Sequence, residues 1–114
     1  MFERFQQRSL EPENLDKGSY TAEEYEGCLV ELRRVNRWLG DTKTLEDLFL
    51  VELARRGSES FSVLDVGAGS GELLRVIAKW GRETNRTTHL VGLELNERSA
   101  KSISEESAEF PEIE

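Results

Sequence analysis

The residues best suited to chemistry in this sequence fall in one stretch, Val63-Leu64-Asp65-Val66-Gly67-Ala68-Gly69-Ser70-Gly71. An apolar run that gives way at once to alternating glycines is the pattern of a buried strand turning into a helix. Such a turn needs residues that tolerate positive φ, and a ligand lying against the backbone needs positions without a Cβ. The first N–H groups of the following helix have no intrahelical partner, so the loop is expected to point free amides outward, toward a carboxylate or the polar edge of a ligand. A second feature, Val91-Gly92-Leu93-Glu94, ends another apolar run in a carboxylate. Two parallel strands joined by a right-handed crossover finish at the same edge of a sheet, which would bring Glu94 beside the glycine loop, where it can accept hydrogen bonds from vicinal ribose hydroxyls. Without a ligand, the same residues read as a connecting turn and a solvated strand end.

Several elements must hold these residues in place. Residues 1–19 contain Pro12, Gly18 and many charges without a sustained apolar period, and are expected to form a flexible N-terminal arm. Thr21 and Glu24 then make a capping box, with Tyr20 and Tyr25 placed as a hydrophobic staple, so a helix should run from about Ala22 to Leu39. Its apolar stripe is Tyr25, Leu29, Leu32, Val35 and Leu39, and Gly40 offers a left-handed stop. A second helix is expected from about Leu45 to Arg56, capped by Thr44 and Asp47 and buried along Leu45, Leu48, Phe49 and Leu53. Phe61 to Val66 reads as a strand, Glu72 to Trp80 as a helix carrying Leu73, Leu74, Ile77 and Ala78, residues 81–87 as a polar connection, His89 to Leu95 as a second strand, and Glu97 to about Ser107 as a polar helix. The fold class is therefore α/β, two N-terminal helices followed by β-α-β-α with parallel strands, in one domain over 20–114.

A dinucleotide-binding module uses the same topology, but its fingerprint wants a third glycine where Glu72 stands, and a carboxylate at the mouth of the helix opposes a pyrophosphate. The run VLDVGAGSGELL resembles the first motif of class I S-adenosylmethionine-dependent methyltransferases, and VGLELN resembles their second. The helix ending in RRVNRWLG is similar to the front helix of small-molecule methyltransferases of that family. The resemblance covers residues 20 to 110 and implies a Rossmann-like domain with S-adenosylmethionine as cofactor. Gly67, Ala68, Gly69 and Gly71 would lie along the methionine portion, Asp65 would orient that portion directly or through water, Glu94 would hold the ribose, and Leu95 would lie near the adenine. The family core is a seven-stranded sheet whose first strand is central, flanked by the second and the fourth. Only the first two strands are expected here, with residues 109–114 ending where a third would begin. The chain thus reads as a truncated methyltransferase domain, incomplete on the acceptor side and inactive alone. No catalytic residue is nominated, since the reaction rests mainly on placing donor and acceptor in line.

The remaining features mostly exclude functions. The net charge of −8, from 23 acidic and 15 basic residues, repels phosphate backbones and anionic membranes, so neither nucleic acid nor membrane is expected as a partner, and a small-molecule methyl acceptor is. The single cysteine, Cys28, forbids an internal disulfide, no metal site is expected, and no secretory signal is evident, which together point to the cytoplasm. His89, Cys28, Trp38 and Trp80 read as strand-end, partly buried and packing residues. The outer edge of the first strand lacks the lysine or proline that would blunt pairing, and a homo-oligomer, most simply a dimer, is expected. The alternatives are a non-enzymatic truncated product that self-associates or a dinucleotide-binding module.

Overall fold

The structure, a computed structural model, describes residues 10–12, 17–39 and 41–114, with the side chains of 36–39 and 41 outside the description. Most of the expected arm therefore lies outside the described residues. The Thr21 N–H donates to Glu24 Oε2 at 2.7 Å and the Glu24 N–H to Thr21 Oγ1 at 3.1 Å, which closes the capping box. The Tyr20 and Tyr25 rings stack at 5.4 Å across the cap. Helix α1 runs over Ala22–Leu39, as the spacing predicts. Tyr25 and Leu29 are buried, whereas Leu32 is 38% exposed and Val35 is exposed too, so only the first half of the stripe reaches apolar neighbours. The expected stop at Gly40 and the packing of Trp38 and Leu39 fall outside the described residues.

The next helical run begins earlier than its expected start. Helix α2 (Asp41–Thr44), a π-helical segment (Leu45–Leu50) and α3 (Val51–Arg55) follow one another without a break, with right-handed helical backbone at both joints. Thr44 lies inside the run and its side chain caps nothing. The wider π repeat rotates side chains away from the positions a 3.6-residue period gives them. Leu50 is therefore fully buried, while Leu48 and Phe49, expected on the core side, are exposed. Leu45 and Leu53 do pack on the core.

Strand β1 (Ser60–Val66) pairs in parallel with β2 (Thr87–Leu93), in register from Ser60 opposite Thr87 to Val66 opposite Leu93. Helix α4 (Glu72–Glu83) connects them and α5 (Glu97–Glu106) follows. Helix α4 is about a turn longer than the sequence suggests, and its exit is formed by Thr84, whose hydroxyl donates to the Trp80 carbonyl at 2.7 Å, and by Asn85 at φ 55°. On the inner face of the sheet Phe61, Val63 and Leu90 meet Leu74, Ile77 and Ala78 of α4, with Leu50 and Phe110 completing the core. Burying a side chain such as Leu74 contributes about 1.5–3 kcal/mol. A Cβ on Gly92 would lie 2.9 Å from Leu74 Cδ1 and 3.2 Å from Ala68 Cβ, so only glycine lets α4 sit this close to β2. On the other face Leu64, Val66 and Leu93 are exposed.

Strand β2 ends at Leu93 rather than Leu95 because the chain turns there to start α5. The Asn96 side chain accepts from the Arg98 and Ser99 N–H groups at 3.0 and 3.2 Å and caps that helix. The last residues return to the sheet. The Leu90 N–H donates to the Glu112 carbonyl and the Glu114 N–H to the Leu90 carbonyl, both at 2.8 Å, and Ile113 forms a parallel bridge to Leu90 on the edge of β2 away from β1. Arg82 fixes this segment through Glu112 at 2.7 and 2.8 Å and through the Glu109 carbonyl at 2.7 Å, its guanidinium 4.6 Å from the Phe110 ring centre. The architecture is mixed α/β, with four helices and a two-stranded parallel sheet.

The burial of α1 sets a test of its packing. Leu29→Ala is expected to cost about 2–5 kcal/mol, and Leu32→Ala less than about 2 kcal/mol because much of that side chain is already in water. Urea denaturation of the two variants measures both, and equal losses would mean that α1 is rotated from the position described.

Candidate functional site

At the carboxyl ends of the strands the backbone is tied together before any side chain is considered. The N–H groups of Gly67 and Ala68 both donate to the Leu93 carbonyl, at 2.8 and 3.1 Å. The loop then proceeds through Gly67 at φ 78°, Gly69 at φ 57° and Gly71 at φ 70°, a left-handed series that residues with a Cβ rarely adopt. A Cβ on Gly71 would also meet Ile103 Cγ2 at 2.8 Å. Arg75 braces the loop from below, donating to the Ser70 carbonyl at 3.0 Å and to Ser107 Oγ at 3.3 Å, with Glu106 at 3.5 Å.

Glu94, one residue beyond β2, lays its carboxylate on the loop. Oε2 accepts from the Gly69 N–H at 2.9 Å and Oε1 from the Asn96 N–H at 3.0 Å. The Gly71 N–H donates to the Ala68 carbonyl at 2.8 Å. The loop amides of Gly67, Ala68, Gly69 and Gly71 thus all have acceptors within the chain, and the amides expected to point outward are those of the first turn of α4 that follows. The loop pairing follows from the proximity of the strand ends, which puts both the Leu93 carbonyl and the Glu94 carboxylate within reach of the loop.

Above this floor lies a cleft of about 640 Å³, within the roughly 300–1,000 Å³ of small-molecule sites. Its floor is Val66, Gly67, Gly69 and Leu93, its far wall Glu94, Leu95, Asn96 and Ser99, and its near wall Tyr25, Leu29 and Leu32 of α1. Leu95 is 84% exposed, an apolar side chain held in water at the edge of the cleft. Of the residues expected in a site, Gly67, Gly69, Glu94 and Leu95 line this cleft. Asp65, Ala68 and Gly71 do not. Asp65 faces a neighbouring hollow of about 160 Å³ beside Leu45, Phe49 and Leu73. Ala68 packs toward the core and Gly71 is the buried N-cap of α4. Sequence reasoning missed the wall from α1. Tyr25 stands in the sequence as a staple partner and as the first residue of the apolar stripe, and that period gives no sign that the same face meets the strand ends.

Two titratable groups here are perturbed. Burial, and then the charge of Glu94, push the Asp65 carboxyl above its ordinary value. Burial also raises the Tyr25 phenol, with Tyr20 and Glu94 adding to it, and its hydroxyl has no hydrogen-bond partner. The other candidates stay apart from the cleft. His89 lies on β2, exposed, with Nε2 3.3 Å from Glu114, and Cys28 is a partly buried free thiol on α1. Trp80 packs 5.9 Å from Phe61 under the Arg86 guanidinium. Among the described residues no group of three or more His, Cys, Asp or Glu could hold a metal ion, and no helix is long and apolar enough to cross a membrane. No family model, curated protein or solved structure matches the chain.

The Asp65 shift carries a stability consequence. A carboxyl whose folded value lies above its unfolded value of 3.8 penalises the fold when ionised, so the penalty is full at neutral pH and is relieved as pH falls through the folded value. Asp65→Asn is expected to raise the melting temperature at neutral pH, with the gain shrinking toward zero below pH 3.8. Calorimetry across that range checks it, and an unchanged melting temperature at neutral pH would mean the carboxylate is well solvated.

Proposed function

We propose that the chain is the S-adenosylmethionine-binding portion of a class I, Rossmann-like methyltransferase acting on a small molecule. The observation that carries this reading is the Glu94 carboxylate held on the Gly69 N–H inside a cleft whose other surfaces are largely apolar. Each carboxylate oxygen keeps a second acceptor site after its backbone bond, enough to receive two vicinal ribose hydroxyls. Leu95, Leu93 and Val66 offer apolar surface to a purine ring, and the glycine loop leaves room for the amino-acid end of the cofactor. The isolated parallel bridge from Ile113 to Leu90 supports the same reading, since it lies on the side of β2 where the family places its third strand. A dinucleotide is disfavoured because Glu72 puts a carboxylate at the helix mouth, where a pyrophosphate would need positive potential.

When bound, the cofactor would supply an electrophilic methyl group on a sulfonium. The part of this chain is to bind, orient and keep water from the adenosyl portion, with Glu94 holding the ribose and the α1 wall closing the near side. Among the described residues no side chain is assigned to the acceptor.

Isothermal titration with S-adenosylmethionine, S-adenosylhomocysteine and NAD tests the proposal, which expects binding of the sulfur ligands and not of the dinucleotide. Glu94→Ala should lose about 1–3 kcal/mol of that binding, and Gly69→Val should weaken it by forcing a branched side chain into left-handed backbone. Melting curves establish that both variants remain folded. Unchanged affinity in both would remove the site assignment.

A second reading, a non-enzymatic product that self-associates, is favoured by the open sheet. The N–H and C=O groups of Ser60, Ser62, Leu64 and Val66 point to the outer edge of β1, since those of the alternate residues are directed at β2. Among the described residues no strand pairs with that edge. Leu64 and Val66, beside it, are 59% and 74% exposed. Two copies meeting edge to edge about a two-fold axis would satisfy these groups. Sedimentation equilibrium at micromolar concentration is expected to return a dimer, and a monomer would rule this assembly out.

A further inference from the structure

Asp65 stands in strand β1 with its carboxylate partly buried and unpaired. Among the described residues no hydrogen bond or ion pair reaches that carboxylate, and the charge that acts on it most is that of Glu94, which has the same sign. A charge held partly out of water is ordinarily matched by a cation or by hydrogen-bond donors, because leaving it unmatched costs free energy. The hollow of about 160 Å³ beside it supplies neither. Leu45 and Phe49 of the π-helical segment, Val63 of β1, and Leu73 and Ile77 of α4 line that hollow, and all are apolar. The π repeat sets Leu45 and Phe49 on the same hollow, and segments of this kind recur at functional sites. Phe49 stays 42% exposed there, an aromatic ring kept in water beside a carboxylate. The hollow shares no lining residue with the cleft beside α1.

We infer that this hollow is a second ligand site, for the primary ammonium group of a short aliphatic amine, with Asp65 as its counter-ion. Each feature of the ligand answers a feature of the hollow. The carboxylate can only accept, and an ammonium group brings several donors and the opposite charge. The aliphatic walls take a hydrocarbon chain. A metal ion has no such chain and would need several oxygen ligands where one carboxylate stands. The Phe49 ring attracts a cation through its face. Size holds the ligand to a few carbons, since sites for larger small molecules span roughly 300–1,000 Å³. Burial and Glu94 act against the ionised form of Asp65, and a bound cation opposes both, so the carboxylate that weakens the ligand-free fold strengthens the occupied one. The site is independent of the adenosyl reading, whose ligand lies in the neighbouring cleft.

Backbone amide chemical shifts of the 114-residue chain, followed through separate titrations with n-butylammonium chloride, 1-butanol and sodium chloride, test the site. The amine is expected to shift the amides of Leu45, Phe49, Asp65 and Leu73 saturably. The alcohol, its uncharged counterpart, should bind at least about 10-fold more weakly at the same positions, and sodium chloride should give no saturable change. Asp65→Asn should keep the fold and bind the amine no better than the alcohol. Equal affinity for amine and alcohol, undiminished amine binding by Asp65→Asn, or saturable shifts with sodium chloride would each overturn the inference. So would the absence of any saturable shift at these positions. The comparison of amine with alcohol needs no substitution, and it decides the question even where the variant fails to fold. None of these ligands carries an adenosyl group, so the adenosyl reading stands or falls by its own titration.

Discussion

The carboxylate of Glu94 is the point at which the separate parts of this molecule meet. Two parallel strands bring their carboxyl ends to one edge, and the residue just beyond β2 reaches across to the Gly69 N–H of the loop that leaves β1. Its second oxygen takes the Asn96 N–H, and Asn96 spends its side chain on the cap of α5 and on the Tyr20 hydroxyl at the start of α1. One side chain therefore fixes the glycine loop, the exit of β2, the start of α5 and, through Asn96, the seating of the front helix. Hydrogen bonds to an ionised acceptor are about twice as strong as neutral ones, which suits a carboxylate to this junction better than an amide would be.

That arrangement sets the electrostatics of the cleft. Glu94 accepts from two backbone N–H groups, and the Asp65 carboxyl is raised first by burial and then by that neighbour. With Glu72 at the mouth of α4, two carboxyl groups flank the loop. Such a field repels phosphates and favours a ligand that is neutral or positively charged near the glycines.

The features readable from sequence were those with local causes. Thr21 with Glu24, and Tyr20 with Tyr25, placed the start of α1, and the φ demanded by a tight strand-to-helix turn placed the glycines of the loop. The closeness of Glu94 to that loop followed from the topology of parallel strands alone. What escaped was set by tertiary geometry. A π-helical segment turned Leu50 inward and left Leu48 and Phe49 in water, and no 3.6-residue count could have found it. Asp65 stood in the motif but faces the hollow beside Phe49, since side chains alternate along β1 and its neighbours Leu64 and Val66 point the other way. The docking of α1 over the strand ends depends on Asn96 meeting Tyr20 across 76 positions of sequence, a contact that no periodicity encodes.

The covered and uncovered faces of the sheet bear on the site as well as on assembly. Helix α4 and the segment around Leu50 cover the inner face, while Leu64, Val66 and Leu93 stay exposed on the other. Two of those three, Val66 and Leu93, also floor the cleft. A ligand in the cleft and any surface that settles on the open face therefore draw on the same apolar area. Burial of that area by one changes what the other can gain, and linkage makes the effect reciprocal. The open face and the floor of the cleft are thus coupled through Val66 and Leu93, so cover over one changes the apolar area left to the other.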